Sequence, residues 1–190
     1  MTDYLTGRFL IASPHLPDSN FSRAVVFMVE HHDDGALGLI LNKPTNARLK
    51  DIWKFVDGMP LQDTEAEMSK FLRLGGPVEG HIMCLYTNGG FGEPEVIDGV
   101  FLATEPDQIR EIISLDDVSS RVFWGYAGWG AGQLERELKV GGWLTGDASL
   151  SLIFDDDVGT LWNRVVSRNG REILREALNI SHFPEDPQLN

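Results

Sequence analysis

AVVFMVEHHDDGALGLILN, residues 24–42, places two apolar runs on either side of Asp33-Asp34-Gly35-Ala36. Asp-Gly between such runs is a strong hairpin signal, because glycine takes up the positive φ of a tight turn without a steric penalty. The segment therefore reads as an antiparallel pair of strands. Both arms are apolar at nearly consecutive positions, whereas a strand with one solvated face would alternate. The pair is expected to be covered on both faces and to lie deep in a sheet.

Working outward, RFLIA (8–12) is a further short strand. Leu49, Ile52, Trp53 and Val56 recur at i, i+3, i+4 and i+7 and predict a first helix, with Asn46 as its N-cap. After the acidic stretch 61–70, strands are expected at FLRLG (71–75), HIMCLYT (81–87) and VIDGVFLA (96–103). The second half alternates. Thr104 opens TEPD, a capping-box variant with Pro in the first turn, and Ile109, Ile112 and Ile113 form the buried stripe of a second helix. RVFWGY (121–126) reads as a strand leading into a glycine-rich loop. The next helix turns Leu134 and Leu138 inward, pairs Glu135 with Lys139 and closes at Gly141. A strand ASLSLIF (148–154) precedes a helix with Val158, Leu161, Trp162 and Val165, and Gly170 separates that from a last helix over 171–178. Strands early and alternation late predict an α+β fold with a mixed sheet, not a doubly wound parallel one.

The 190 residues contain no internal repeat or linker, and 42% are hydrophobic, enough for a core without disulfide or metal staples. One domain spanning 1–180 is expected, with 181–190 a disordered tail. Sixteen Lys and Arg face 29 Asp and Glu, a net charge of −13, which repels nucleic acid and anionic membranes at long range. No secretory signal is read at the N-terminus, and the longest apolar run is too short to span a bilayer. The single Cys84 rules out an internal disulfide and suits a reducing cytoplasm. Neither nucleic acid nor membrane is expected as a partner.

The glycine-rich segment GYAGWGAGQLERELKVGGW (125–143) poses the main functional question. Gly128, Gly130 and Gly132 give G-x-G-x-G with Gln133 where a dinucleotide fingerprint needs glycine, and Gln133-Leu134 supplies neither the Lys nor the Ser/Thr of a P-loop. What survives is an anion site formed by Gly128, Gly130, Gly132 and Gln133 at a helix N-terminus. The alternative, which we favour, is structural: bare backbone over which Tyr126, Trp129 and Trp143 pack.

Other constellations read as structural. His31 and Asp33 share a strand face, but no further metal-like ligand lies at suitable spacing, and Asp before Gly is what the turn asks for. His81 and Cys84 sit on opposite faces of a strand, and Cys84 is expected to be buried. Asp155, Asp156 and Asp157 occupy a position that suits Mg²⁺ but also suits N-capping, and no second acidic motif accompanies them. His15, Asp18, Ser19 and Ser22 have triad residue types without a nucleophile elbow. Lys43, Arg48, Lys50 and Lys54 beside Trp53 lack a recognition helix, since acids follow. No catalytic residue, metal ligand or cofactor is assigned.

Four segments in order, LTGRFLIASP (5–14), GALGLILNKP (35–44), LGGPV (74–78) and GYAGWGAGQLERELKVGGWL (125–144), closely resemble the AlgH/YqgE family of bacterial proteins. The similarity covers almost the whole chain. It departs at Ser13-Pro14, where Met-Pro is usual, and lacks the family's small-residue finish. The resemblance implies a bifurcated sheet curled into a partial barrel with flanking helices. It also implies a link, by family name, to transcriptional regulation, and transfers no catalytic residue. The expectation is a non-catalytic cytoplasmic regulatory or binding protein that acts through a protein partner and influences transcription indirectly. The alternative is an enzyme or binder of a phosphorylated or carboxylated metabolite at the glycine segment.

Overall fold

In a computed structural model of the chain, residues 4–50, 53, 71–91 and 94–178 are described, with side chains as far as 171. The hairpin forms as read: strands Val25–His32 and Gly35–Ile40 pair from Val26↔Ile40 to His32↔Gly35, with Asp33 and Asp34 at the turn. In chain order the strands are β1 (Arg8–Ala12), β2 (Val25–His32), β3 (Gly35–Ile40), β4 (Pro44–Arg48), β5 (Phe71–Leu74), β6 (Val78–Tyr86), β7 (Glu95–Ile97), β8 (Val100–Ala103), β9 (Ser120–Gly130) and β10 (Trp143–Asp147). The α-helices among the described residues are α1 (Pro106–Ser114), α2 (Gln133–Lys139), α3 (Leu150–Ile153) and α4 (Val158–Leu178).

The sheet runs β10-β1-β2-β3-β9-β6-β8-β7 and curls into a half-barrel. It forks at β9. β6 runs along one edge of β9, from Val78↔Tyr126 to Tyr86↔Ser120. On the other edge β3 pairs with Ala127 to Gly130, while β5 pairs in parallel with Phe123 and Trp124 and carries β4 outward. The strands part where three glycines cross. A Cβ on Gly75 would stand 2.1 Å from the Gly125 carbonyl oxygen, and one on Gly76 would stand 2.1 Å from the Tyr126 carbonyl carbon. Gly125 itself has φ +73, a conformation that L side chains rarely adopt. LGGPV and GYAG are thus two halves of one backbone crossing.

The near-continuous apolar runs follow from double coverage. From β1 and β2, Phe9, Ile11, Val25 and Phe27 face Ile153 of α3 and Leu161 and Val165 of α4. Their neighbours Leu10, Ala12, Val26 and Met28 face Leu134 of α2, with Trp129 and Trp143. On the other arm, Leu72, Ile82, Cys84 and Tyr86 meet Ile109, Ile112 and Ile113 of α1, together with Leu49 and Trp53. Each fully buried large aliphatic side chain contributes about 2 kcal/mol of transfer free energy.

Several local expectations are corrected. The segment 127–130, read as loop, continues β9, because β3 offers it a ladder. Residues 96–103 fold back at Asp98-Gly99 as the β7–β8 hairpin. The strand expected at 148–154 lies earlier, at 143–147, where β1 pairs with it in register, and 150–153 is helical. Glu105, not Thr104, precedes α1, and Asn46 lies within β4. Gly170 does not break α4, since the Leu161 and Val165 stripe holds the helix on the sheet. Leu49 and Trp53 are fully buried, as their spacing suggests. Ile52, Val56 and the tail 181–190 lie outside the described residues.

Candidate functional site

β9 delivers the glycine segment to the sheet surface with alternating side chains. Ala127 and Trp129 point into the core beneath α2. Gly128 and Tyr126 face the other way, where a Cβ on Gly128 would meet Tyr126 at 3.1 Å and Val78 at 3.7 Å. That missing side chain forms the floor of an open groove of about 500 Å³. Leu37, Val78 and Tyr126 give it apolar walls, and Glu30, His32 and Asp34 of the β2–β3 hairpin form its rim. His81 lies edge-on to Tyr126, with ring centroids 5.4 Å apart. Among the described residues, the groove's lining includes two carboxylates and neither Lys nor Arg.

The residues that follow are engaged internally. The Gly130 amide donates to Gln133 Oε1 at 3.1 Å, and Gly132, at φ +66, starts the seven-residue α2. Gln133 Nε2 donates in turn to Glu137 Oε1 at 2.9 Å. The other carboxylate oxygen of Glu137 accepts both indole N–H groups, from Trp129 at 3.0 Å and Trp143 at 2.8 Å. Phe21 stacks on Trp129 at 6.0 Å and meets Trp143 edge-on at 5.2 Å. The sequence therefore brings Gly128 to the groove, but ties Gly130 and Gln133 into a braced aromatic cluster. Tyr126 stands apart from that cluster, on the groove side.

His31 is 2% exposed. The Leu5 amide donates to its Nδ1 at 3.0 Å, so Nε2 carries the proton and donates to Glu135 Oε1 at 2.9 Å. The Glu135 carboxyl is held below the usual carboxylate range by its own backbone amide and then by the His31 ring. This bond staples α2 to β2. Its neighbour Tyr4 is pushed up, first by hydrogen bonding to Asp33 and then by desolvation.

The three aspartates lie elsewhere. Asp156 accepts from Arg121 at 2.5 Å, and Arg121 precedes Gly128 by seven strand residues, roughly 23 Å at 3.3 Å each. Asp155 pairs with Arg164 at 2.5 Å, and Asp157 caps the Thr160 amide at 3.3 Å. Arg164 first, then the Asp157 amide, keep the Asp155 carboxyl below its ordinary range. The Arg73 guanidinium reaches the Leu41 and Asp155 carbonyls, and burial pulls its pKa down to about 10. Among the described residues no group of three His, Cys, Asp or Glu is placed to hold a metal ion, and no helix is long and apolar enough to cross a membrane. Asp18 caps the Asn20 amide, and Cys84 is buried. Lys43 bonds to the Asn20 carbonyl, Arg48 lies over the Phe71 ring at 5.5 Å, and Lys54 is outside the described residues.

The groove rim was missed at the sequence level because Asp34 read as part of the hairpin turn, and Glu30 and His32 as part of its largely apolar first arm. The alternation of Tyr126, Gly128 and Gly130 was the available signal.

Fold and groove together define an α+β half-barrel with a forked sheet and an acid-rimmed cleft beside the fork. The chain belongs to the AlgH-like family, whose model matches residues 9–174. It is 36% identical to a UPF0301 protein of Chlorobaculum tepidum, covering 97% of this chain and 95% of that one. It is also 36% identical to a UPF0301 protein of Methylocella silvestris, covering 94% and 92%. The solution structure of the AlgH protein from Pseudomonas aeruginosa is similar, with a TM-score of 0.74, 28% identity and 98% of each chain covered. A Corynebacterium diphtheriae protein at 22% identity shares the fold, with a TM-score of 0.66 and 88% of each chain covered.

Proposed function

We propose that the protein is a non-catalytic binding module of the cytoplasm, and that its groove takes a basic, partly apolar segment of a partner protein. The observation that carries this reading is the composition of the groove. A glycine floor and the Leu37, Val78 and Tyr126 walls accept aliphatic or aromatic surface, while Glu30 and Asp34 select positive charge at the rim. Tyr126 adds a π face for a cation. Any influence on transcription then passes through that partner, because a chain of charge −13 lacks the phosphate attraction that supplies most non-specific DNA affinity.

The test is an amide NMR titration with an extended Lys-Leu-Lys peptide and its Glu-Leu-Glu counterpart. The basic peptide is expected to shift Gly35, Leu37 and Gly128 saturably, and the acidic one is not. Glu30→Gln with Asp34→Asn should weaken binding, and Gly128→Val should block it by filling the floor. Equal binding of both peptides, or indifference to these variants, overturns the reading.

The alternative of a small phosphorylated or carboxylated ligand at Gly128, Gly130, Gly132 and Gln133 predicts instead that inorganic phosphate shifts those amides. Such a ligand would compete with Gln133 for the Gly130 amide and would face the carboxylates of the rim.

A further inference from the structure

The two edges of β9 are used unequally. The Leu41 amide donates to the Val25 carbonyl of β2 at 2.9 Å, while the Ile40 amide donates the other way, to the Gly75 carbonyl at 2.8 Å. Alternate residues of a strand turn their main-chain groups to opposite edges, so Gly38 and Ala36, like Ile40, address β9, where Ala127 and Trp129 stand opposite them. Gly128, between those two, turns its N–H and C=O to the far edge. The Gly130 amide agrees, being given to Gln133 Oε1 at 3.1 Å.

β6 occupies that far edge only as far as Tyr126, which pairs with Val78. The residue before Val78 is Pro77, which has no N–H to give, and Gly76 then crosses β9 at Tyr126 and Ala127. Among the described residues nothing bonds to the main chain of Gly128 on this side, and Gly128 is exposed. An open donor and an open acceptor on a strand edge are what an added strand pairs with. They lie at the floor of the acid-rimmed groove, beside the exposed Val78. Glu30, Leu37 and Gly128 form one row across three strands, and an added strand would extend that row by one residue.

We infer that the basic, partly apolar partner segment docks as an added strand on the open edge of β9, exchanging main-chain hydrogen bonds with both groups of Gly128. This rests on the groove reading and specifies its geometry. Residues opposite each other in a ladder share a sheet face, so the side chain opposite Gly128 lies on the side of Leu37 and Tyr126. The bare floor at Gly128 lets it lie flat, and the Glu30 and Asp34 carboxylates draw the segment's positive charge toward that face.

The experiment combines hydrogen exchange and binding on the full chain. In the free protein the Gly128 amide is expected to exchange faster than those of Ala127 and Trp129, which the β3 ladder holds. Saturation with the end-blocked Lys-Leu-Lys peptide should slow Gly128 about tenfold or more, as a new main-chain bond of its own requires. Three forms of the peptide, each N-methylated at one residue, read the ladder directly, because only alternate amides of an added strand face its neighbour. Methylation at Leu or at Lys, but not at both, should weaken binding by up to about tenfold, the worth of one such bond. Tolerance of methylation at every position, equal loss at every position, or unchanged Gly128 exchange in the saturated complex overturns the added strand and leaves the groove reading standing. Protection of Gly128 already in the free protein also overturns it alone. Failure of the unmodified peptide to bind removes both.

Discussion

Gly76 and Glu137 show how single residues hold this sheet in shape. A methyl group at position 76 would be driven to 2.1 Å from the Tyr126 carbonyl carbon, and its three nearest neighbours are all backbone atoms of Tyr126 and Ala127, with no soft side chain to yield. Gly76→Ala is therefore expected to cost about 3 kcal/mol or more in chemical denaturation. Gly170 is the counter-case. It sits in α4 with nothing within 4 Å of its would-be Cβ, so Gly170→Ala should stabilise by about 0.5–1 kcal/mol. A loss there would show that the helix breaks at this point. Glu137 accepts both indole N–H groups and the Gln133 amide. Glu137→Ala should cost about 2 kcal/mol and alter the near-ultraviolet dichroism of Trp129 and Trp143. His31 and Glu135 were read from sequence as a hairpin residue and a helix-surface partner of Lys139. Their bond spans 104 positions, and local spacing carries no trace of such a pair.

The loop between α3 and α4 is an ion-paired joint, which gives it a pH signature. Asp155 has its folded pKa depressed below the unfolded value near 3.9. Its stabilisation is thus fully present above that unfolded value and is lost as pH falls through the lower folded one. Asp155→Asn should destabilise the protein near neutrality by about 1 kcal/mol, since Arg164 is substantially exposed. The difference from the parent should vanish in strong acid. Parallel urea titrations across the acid range check this, and a gap that widened as pH fell would contradict the sign. The run of aspartates was legible as a turn-and-cap segment. That Arg121 and Arg73 flank it was not, because those cations come from β9 and β5 and reach it only after the sheet closes.

Taken over all its charges, the molecule repels itself. A net charge of −13 opposes compaction, and salt with a Debye length of about 10 Å at 0.1 M screens that repulsion. The melting temperature is expected to rise from low ionic strength to near-physiological salt, as scanning calorimetry would show. A fall would mean that local pairs such as Arg121 with Asp156 outweigh the overall field. The same charge is distributed unevenly, with carboxylates at the hairpin groove and arginines along the exposed side of α4 facing α3.

Apolar periodicity and turn chemistry were enough to predict the hairpin at 24–42, the doubly covered strands, the buried stripe of α1 and the mixed α+β class, because each depends on neighbours a few residues apart. Resemblance of the glycine motifs to a family pointed to the forked sheet. Folding alone settled where β9 ends, that β1 takes 143–147 as its partner and that Gly170 stays helical, since a segment's state there follows the ladder or packing surface that distant chain supplies. It also settled the hairpin groove, whose walls come from β2, β3, β6 and β9, strands far apart in sequence that become neighbours only when apolar burial draws them together.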